Sequence, residues 1–276
     1  MNKNKILGKT FSMLLIAIGA IIMLFPFIWC LSTALQGPGR AYLTPPEFFK
    51  PPYRFDNFIK VWIEGSLGDY FLNSVFVTAM CILGSVLVDS MVGYGLARYD
   101  NKLMSFLFIM TLSTLYVPAN ILAVPQYVMW QKLGGLDTYL PIILPKFFGT
   151  ALGIFLMRQC FKAMPKQLYE AAIIDGLHPL KVFYKIYLPL AKPMLMTLVI
   201  NMFMSEWNNT FGPLIYITDK AKYTLTIGIL YLRGQYMQNM ELLMASAFIS
   251  VLPLVTLYLL AQKYFVEGMV SSGIKG

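Results

Sequence analysis

Six long apolar runs, separated by shorter polar stretches, organise the chain: residues 11–35, 70–97, 103–129, 139–161, 193–217 and 241–264. At ~1.5 Å of rise per residue, a helix over any of them is long enough to cross a hydrocarbon layer of about 30 Å. Helix is the required form, because lipid offers an open backbone no hydrogen-bond partner. The pattern therefore predicts an all-α fold of six membrane spans. The first run follows a basic start (Lys3, Lys5, Lys9), as a signal peptide does. Its 25 residues exceed the apolar region of about 7–15 that such a peptide carries, so a retained span, bent at Pro26, is expected. Pro118 and Pro125 predict that the third run kinks or leaves the bilayer at its outer end.

Composition agrees with the pattern. Hydrophobic residues make up 58% of the 276 and charged residues 13%, with a mean hydropathy of +0.63; a soluble domain carries about 25% charged residues. The net charge of +9 does not point to nucleic acid once its distribution is counted. With the N-terminus in the cytoplasm, thirteen Lys and Arg fall on the inner side and nine on the outer side. That asymmetry places both termini on the cytoplasmic side of the membrane. Cys30, Cys81 and Cys160 are odd in number and lie in or beside apolar runs, so they read as small buried hydrophobes. His178, the one histidine, has no neighbours at metal-ligand spacing, and no metal site is expected.

Two connections exceed what joining spans requires. The outer one, 36–69, is rich in proline and aromatic residues and is expected to form an ordered cap. The inner one, 163–192, reads as helix, turn, helix and stop. Residues 167–174 are good helix formers with Glu170 early, where the macrodipole favours an acid. Asp175-Gly176 supplies the turn, Pro179 suits a first helical position, and Pro189 is expected to break the second helix. Phe183 and Tyr187 share one face of that helix and Lys181 and Lys185 another. By physics alone, such a pair either docks onto a soluble partner or rests on anionic headgroups.

The spacing Glu170-Ala171-Ala172, Asp175-Gly176 and then Pro189 resembles the EAA loop of ABC importer permeases. Three further segments resemble the maltose-type carbohydrate permeases: Phe55-Asp56-Asn57-Phe58 with Tyr70-Phe71-Leu72-Asn73-Ser74; Tyr94-Gly95-Leu96-Ala97-Arg98-Tyr99; and Glu206-Trp207-Asn208-Asn209 with Pro213-Leu214. The ending 268–276 resembles the tail of the second permease subunit of that family. The resemblance implies a single transmembrane domain over 1–276, with the 163–192 loop and a 265–276 tail in the cytoplasm. It implies a second homologous permease, two ATPase subunits that bind ATP and Mg, an extracellular or periplasmic solute-binding protein, and a carbohydrate substrate. Glu170, Ala171, Ala172, Asp175, Gly176 and Pro189 would couple to the ATPase. Tyr231, Arg233, Gly234, Gln235 and Tyr236, in the outer loop 218–240, would contact the binding protein; an aromatic belt at the headgroups is the alternative. The chain itself is expected to carry no catalytic site and no cofactor. Gly8-Lys9-Thr10 is no P-loop, since Lys3 stands where the first glycine is required and a span follows directly.

Within the spans, Glu206 lies near mid-membrane, where charge faces a partner or a watery cavity. Glu206, Trp207, Asn208 and Asn209 are candidates for the translocation path; glue between helices is the other role open to the polar three, and core packing to Trp207. Asp89 departs from the resemblance, as an apolar or small residue is expected there. A proton-coupled secondary transporter would use Asp89 and Glu206 instead; a structural hydrogen-bond role for Asp89 is the simpler reading. Gly149 and Gly153 form a G-x-x-x-G that permits close helix packing, and Lys146 is placed to snorkel to the outer interface.

Overall fold

The computed structural model describes residues 3–99 and 101–273, with side chains over 9–10, 12–99, 101–118 and 120–262. The tail 265–276 falls outside the described side chains, and its last three residues are outside altogether. The helices are α1 (Lys3–Ala34), α2 (Asp56–Ile63), α3 (Leu67–Arg98), α4 (Lys102–Ser113), α5 (Ala123–Lys132), α6 (Leu140–Ile143), α7 (Ala151–Lys162), α8 (Gln167–Ile174), α9 (Pro179–Val182), α10 (Leu188–Leu190), α11 (Lys192–Trp207), α12 (Phe211–Tyr216), α13 (Leu225–Gln235) and α14 (Met240–Gly273). No strand occurs among the described residues. Among the described residues, four stretches are long and apolar enough to span a membrane, and six if two bent pairs each count as one span. One pair is the third apolar run, bent by 84° between Tyr116 and Asn120, as the prolines predict; the other bends by 78° at Ala191. Two of the expected continuous spans are in fact broken. The fourth stops at Gly149-Thr150, between a 3₁₀ turn and α7, and the fifth stops at 208–210, between α11 and α12.

The chain divides into two compact units. In the first, Met1–Gly68 with Gly228–Leu252, the 36–69 connection is ordered by a hydrogen-bond framework, with Val61 and Leu67 fully buried. Asn57 is buried and donates to the carbonyls of Ala34 (2.8 Å) and Gln36 (2.9 Å). Glu47 gathers Lys50 and Arg40, and these two cations hold its carboxyl below the usual range. Trp29 and Phe48 meet edge-on at 4.6 Å. The connection is ordered, as expected.

The second unit, Asp69–Ile227 with Pro253–Gly276, has separate apolar clusters. One joins Met157, Phe161, Val182, Phe183, Tyr187 and Leu198, so the 167–190 hairpin is packed onto α7 and α11. Another joins Val77, Cys81, Trp130, Ile142, Met202 and Tyr216. Glycines set the approach of α3 to its neighbours: a Cβ on Gly93 would lie 2.7 Å from that of Met157, and one on Gly84 would lie 2.7 Å from the Phe147 ring. Contacts that close exclude any larger residue without backbone movement. Asp137 ties the 133–139 and 217–219 loops together: its carboxylate accepts from the Thr218 amide (2.6 Å), the Thr218 hydroxyl (2.7 Å) and the Asp219 amide (3.0 Å).

Candidate functional site

The hairpin between the fourth and fifth spans forms because its turn closes in one way. Gly176 has φ +79°, which glycine adopts without steric cost. The Gly176 amide donates to the Ile173 carbonyl and the Leu177 amide to the Ala172 carbonyl, both at 3.0 Å. That double closure is a Schellman motif. Its apolar contact is supplied by Ala172, 3% exposed, and Leu177, which join the same cluster. The next helix starts at once, with His178 accepting from the Leu180 amide and Pro179 at the first position. Phe183 and Tyr187 are buried, while Lys181 and Lys185 are exposed, as their spacing predicts. Pro189 departs from expectation. The chain passes it as a π turn over Phe183–Tyr187 followed by α10, and the bend comes two residues later at Ala191. A wide π turn relieves the clash that a proline makes with the carbonyl four residues back. Of the residues expected to dock an ATPase, Glu170, Ala171, Asp175, Gly176 and Pro189 are exposed, and Ala172 anchors the hairpin from beneath.

The second constellation is the break in the fifth span. Glu206 is nearly sealed from solvent, with 2% of its side chain exposed, and pairs with Lys146 at 2.8 Å. Lys146 therefore does not snorkel. Its ammonium turns inward because the buried carboxylate would otherwise stand unpaired. Asn209 donates to Glu206 at 3.0 Å and accepts from the Gly212 amide at 3.1 Å, so it caps α12 while holding the acid. The Asn209 carbonyl accepts from the Thr226 hydroxyl at 2.9 Å. Trp207 is 3% exposed, stacked on Phe203 at 5.3 Å and edge-on to Phe71 at 5.5 Å; it is a packing residue. Asn208 is the exposed member of the four. It continues a polar line on α11 with Asn201 and Ser205, which are also exposed, and Thr197. The signal for that line was present in the sequence as a repeat of about four residues.

Asp89, buried completely, is a structural anchor. It accepts from the Ser85 hydroxyl, the Thr150 amide at 2.6 Å and the Thr150 hydroxyl at 2.7 Å. Thr150 in turn caps α7 by accepting from the Gly153 amide at 3.2 Å. A Cβ on Gly153 would sit 2.0 Å from the Asp89 carboxylate. Gly149, at φ +93°, makes the corner. The two glycines thus face α3 at close range, as the G-x-x-x-G spacing suggests, and what they admit there is a carboxylate and a break in the span.

Three comparisons bear on what this geometry serves. The family model described as "Binding-protein-dependent transport system inner membrane component" matches residues 89–271. The chain belongs to this family. Among relatives of this permease, the arabinooligosaccharides transport system permease protein AraQ of Halalkalibacterium halodurans is 34% identical, covering 93% of each chain. The melibiose/raffinose/stachyose import permease protein MelC of Bacillus subtilis is 33% identical, covering 95% of each. The trehalose/maltose transport system permease protein MalG of Thermococcus litoralis is 30% identical, covering 95% of this chain and 97% of its own. A chain from the crystal structure of a bacterial ABC transporter involved in the import of alginate matches in fold with a TM-score of 0.81 at 22% identity, covering 96% of this chain. The permease is thus a membrane component of an ABC importer and not its ATPase. The family also decides against the proton-coupled reading, whose two acids are engaged by Ser85, Thr150 and Lys146.

The 218–240 loop holds more order than its composition suggests. Nearly half of it is helix α13, and Tyr231, Arg233, Gly234 and Gln235 occupy its last turns, with Tyr236 just beyond. Arg233, Gly234 and Gln235 are exposed, Tyr231 and Tyr236 half-buried, and Gln235 donates to the Tyr231 hydroxyl at 3.1 Å. Local pattern missed this helix because Gly228 and Gly234 lower helix propensity there. Asn73 and Ser74, noted in the sequence only for their resemblance, hold the loop's start. Asn73 donates to the Ala221 and Tyr223 carbonyls at 2.9 and 3.0 Å, and Ser74 accepts from the Leu225 amide at 2.7 Å.

Proposed function

We propose that this permease forms half of the translocation path of an ATP-driven importer for an oligosaccharide, beside a second homologous permease, with both termini in the cytoplasm. The observation that carries the reading is the 167–190 hairpin. Its second helix buries an aromatic face against the spans while its turn and Glu170 face outward. A lever rigidly packed at its base transmits motion from a docked ATPase pair into α7 and α11. ATP-driven closure of that pair would then switch the spans from inward- to outward-facing, and a solute-binding protein would deliver its sugar from outside. The matched relatives named for arabinooligosaccharides, for melibiose, raffinose and stachyose, and for trehalose and maltose support the substrate class. Asn201, Ser205 and Asn208 offer amide and hydroxyl groups of the kind that bond sugar hydroxyls. The exposed end of α13, with Arg233 and Gln235 between two tyrosines, suits a protein contact.

The test uses the complete importer in proteoliposomes, with ATP enclosed and a labelled oligosaccharide outside with its binding protein. Glu170→Lys should leave assembly intact and abolish binding-protein-stimulated ATP hydrolysis and uptake together. Arg233→Glu with Gln235→Ala should spare basal hydrolysis and lose the stimulation. Normal uptake by a fully assembled Glu170→Lys complex would remove the coupling role, and uptake that collapses when a proton gradient is dissipated at constant ATP would remove the importer reading.

A further inference from the structure

Where α3 and α7 end beside the hairpin, the second unit encloses a cavity of about 130 Å³. Three of its lining residues are cations: Arg98 closes α3, Lys162 closes α7 and Lys166 precedes α8. No acid lines the cavity, and among the described residues none of the three enters an ion pair. The Arg98 guanidinium lies flat over the Tyr169 ring, 3.5 Å from its centre, which fixes the fork in place. Two donors in this wall are buried without a partner, the Arg98 Nε and the Tyr94 hydroxyl. Buried donors left unpaired cost stability unless an acceptor arrives.

The geometry points to a binding site for the phosphate headgroup of an anionic phospholipid. The missing component is an oxyanion: three positive charges ring a space that no acid lines, and a guanidinium seated over an aromatic ring favours phosphate. A lipid is the source because the cavity lies where two apolar helices end, at headgroup depth, and basic pockets between spans at such a level hold anionic headgroups. The orientation proposed above assigns it to the cytoplasmic leaflet; the site itself does not depend on the coupling reading. An occupant would bridge the ends of α3 and α7 to Tyr169 on the hairpin, adjacent to Glu170.

Native mass spectrometry of the assembled importer, in detergent doped with phosphatidylglycerol or phosphatidylcholine, tests the site. Wild type should retain phosphatidylglycerol in preference to phosphatidylcholine. Arg98→Gln and Lys162→Gln should each reduce that retention about fivefold, the factor that corresponds to ~1 kcal/mol per basic residue near a lipid surface. Lys181→Gln, an exposed cation that does not line the cavity, should leave it unchanged. Lys162 and Lys166 are both exposed, so Lys162→Gln and Lys166→Gln carry the test if Arg98→Gln fails to assemble, and Lys162→Arg should restore retention. Equal retention of the two lipids, or unchanged retention in all three cavity variants, would overturn the proposal. So would displacement of phosphatidylglycerol by millimolar inorganic phosphate, which would make this a site for a soluble anion.

Discussion

Gly153 tests the account of the broken fourth span. In Gly153→Ala the new Cβ would lie 2.0 Å from Asp89 Oδ2 and 2.6 Å from both its Cγ and Thr150 Oγ1. None of these is the free end of a flexible chain. The Asp89 carboxylate is completely buried and held by Ser85 and by both the amide and the hydroxyl of Thr150. To clear the methyl it must withdraw by about 1 Å, which breaks at least one bond to a charged group, worth ~1.5–3 kcal/mol. Residual overpacking adds about 1–3 kcal/mol. The expected total is about 4 kcal/mol, or on the order of 10 °C in the unfolding midpoint of a chain this size. A fluorescence-monitored thermal scan of the purified importer measures it. The decisive comparison is the double variant. In an Asp89→Ala background the space is already vacated, so adding Gly153→Ala should cost little, and the two effects should fail to add by about 2 kcal/mol or more. A Gly153→Ala protein melting within about 2 °C of wild type, or one whose loss is the same in both backgrounds, would refute the reasoning.

Three further outcomes follow from the geometry. Lys146→Met strands the buried Glu206 carboxylate and should cost about 3–5 kcal/mol, whereas Lys146→Met with Glu206→Gln, which removes both charges, should recover most of the loss in the same thermal scan. Gly176→Ala places a side chain at φ +79° and should cost ~1–2 kcal/mol, while Gly176→Pro also deletes the amide that closes the turn, so protease cleavage within 167–190 should rise modestly in the first and strongly in the second. The amides of Thr218 and Asp219 and the Thr218 hydroxyl hold the Asp137 carboxyl below the usual range; its contribution is present above the unfolded value of about 3.9 and is lost as pH falls through the lower folded value. The midpoint difference between wild type and Asp137→Asn should therefore hold steady at neutral pH and close only in strong acid, and a difference that disappears between pH 7 and 5 would contradict the assignment.

Much of the fold was legible because the bilayer permits few answers. Lipid forces helices, and Pro118, Pro125, Gly176 and Pro179 act where they stand. The hairpin could be read almost residue by residue, since each part of its turn depends on neighbours within six positions. What escaped depends on distant partners. No local pattern says that Lys146 faces Glu206, or that Gly153 is small for the sake of a carboxylate on α3. The G-x-x-x-G spacing was real, but its meaning lay in Asp89, the residue that the family resemblance had marked as out of place. Pro189 showed a different limit: a breaker by propensity was absorbed by a π turn, because Phe183 and Tyr187 hold that turn against the spans. Trp207 and its neighbours illustrate a third. A polar cluster on one span divides into a sealed half, Glu206 and Asn209, and an exposed half, Asn208, and only packing separates them.

The Lys146–Glu206 pair also constrains how the protein is made. The two residues stand 60 positions apart in the chain, and synthesis proceeds at ~5–20 residues per second. The fourth span therefore reaches the insertion machinery about 3–12 s before the carboxylate that neutralises its ammonium exists. A lone charge in a span disfavours release into lipid, by up to ~2.5–3.5 kcal/mol at the helix centre, and the fifth span arrives with the opposite problem. Neither should partition alone. The two are expected to be held at the translocon and released as a neutral pair, whereas the first span, whose apolar window carries no such debt and no burial against the rest of the chain, can leave as soon as it is made.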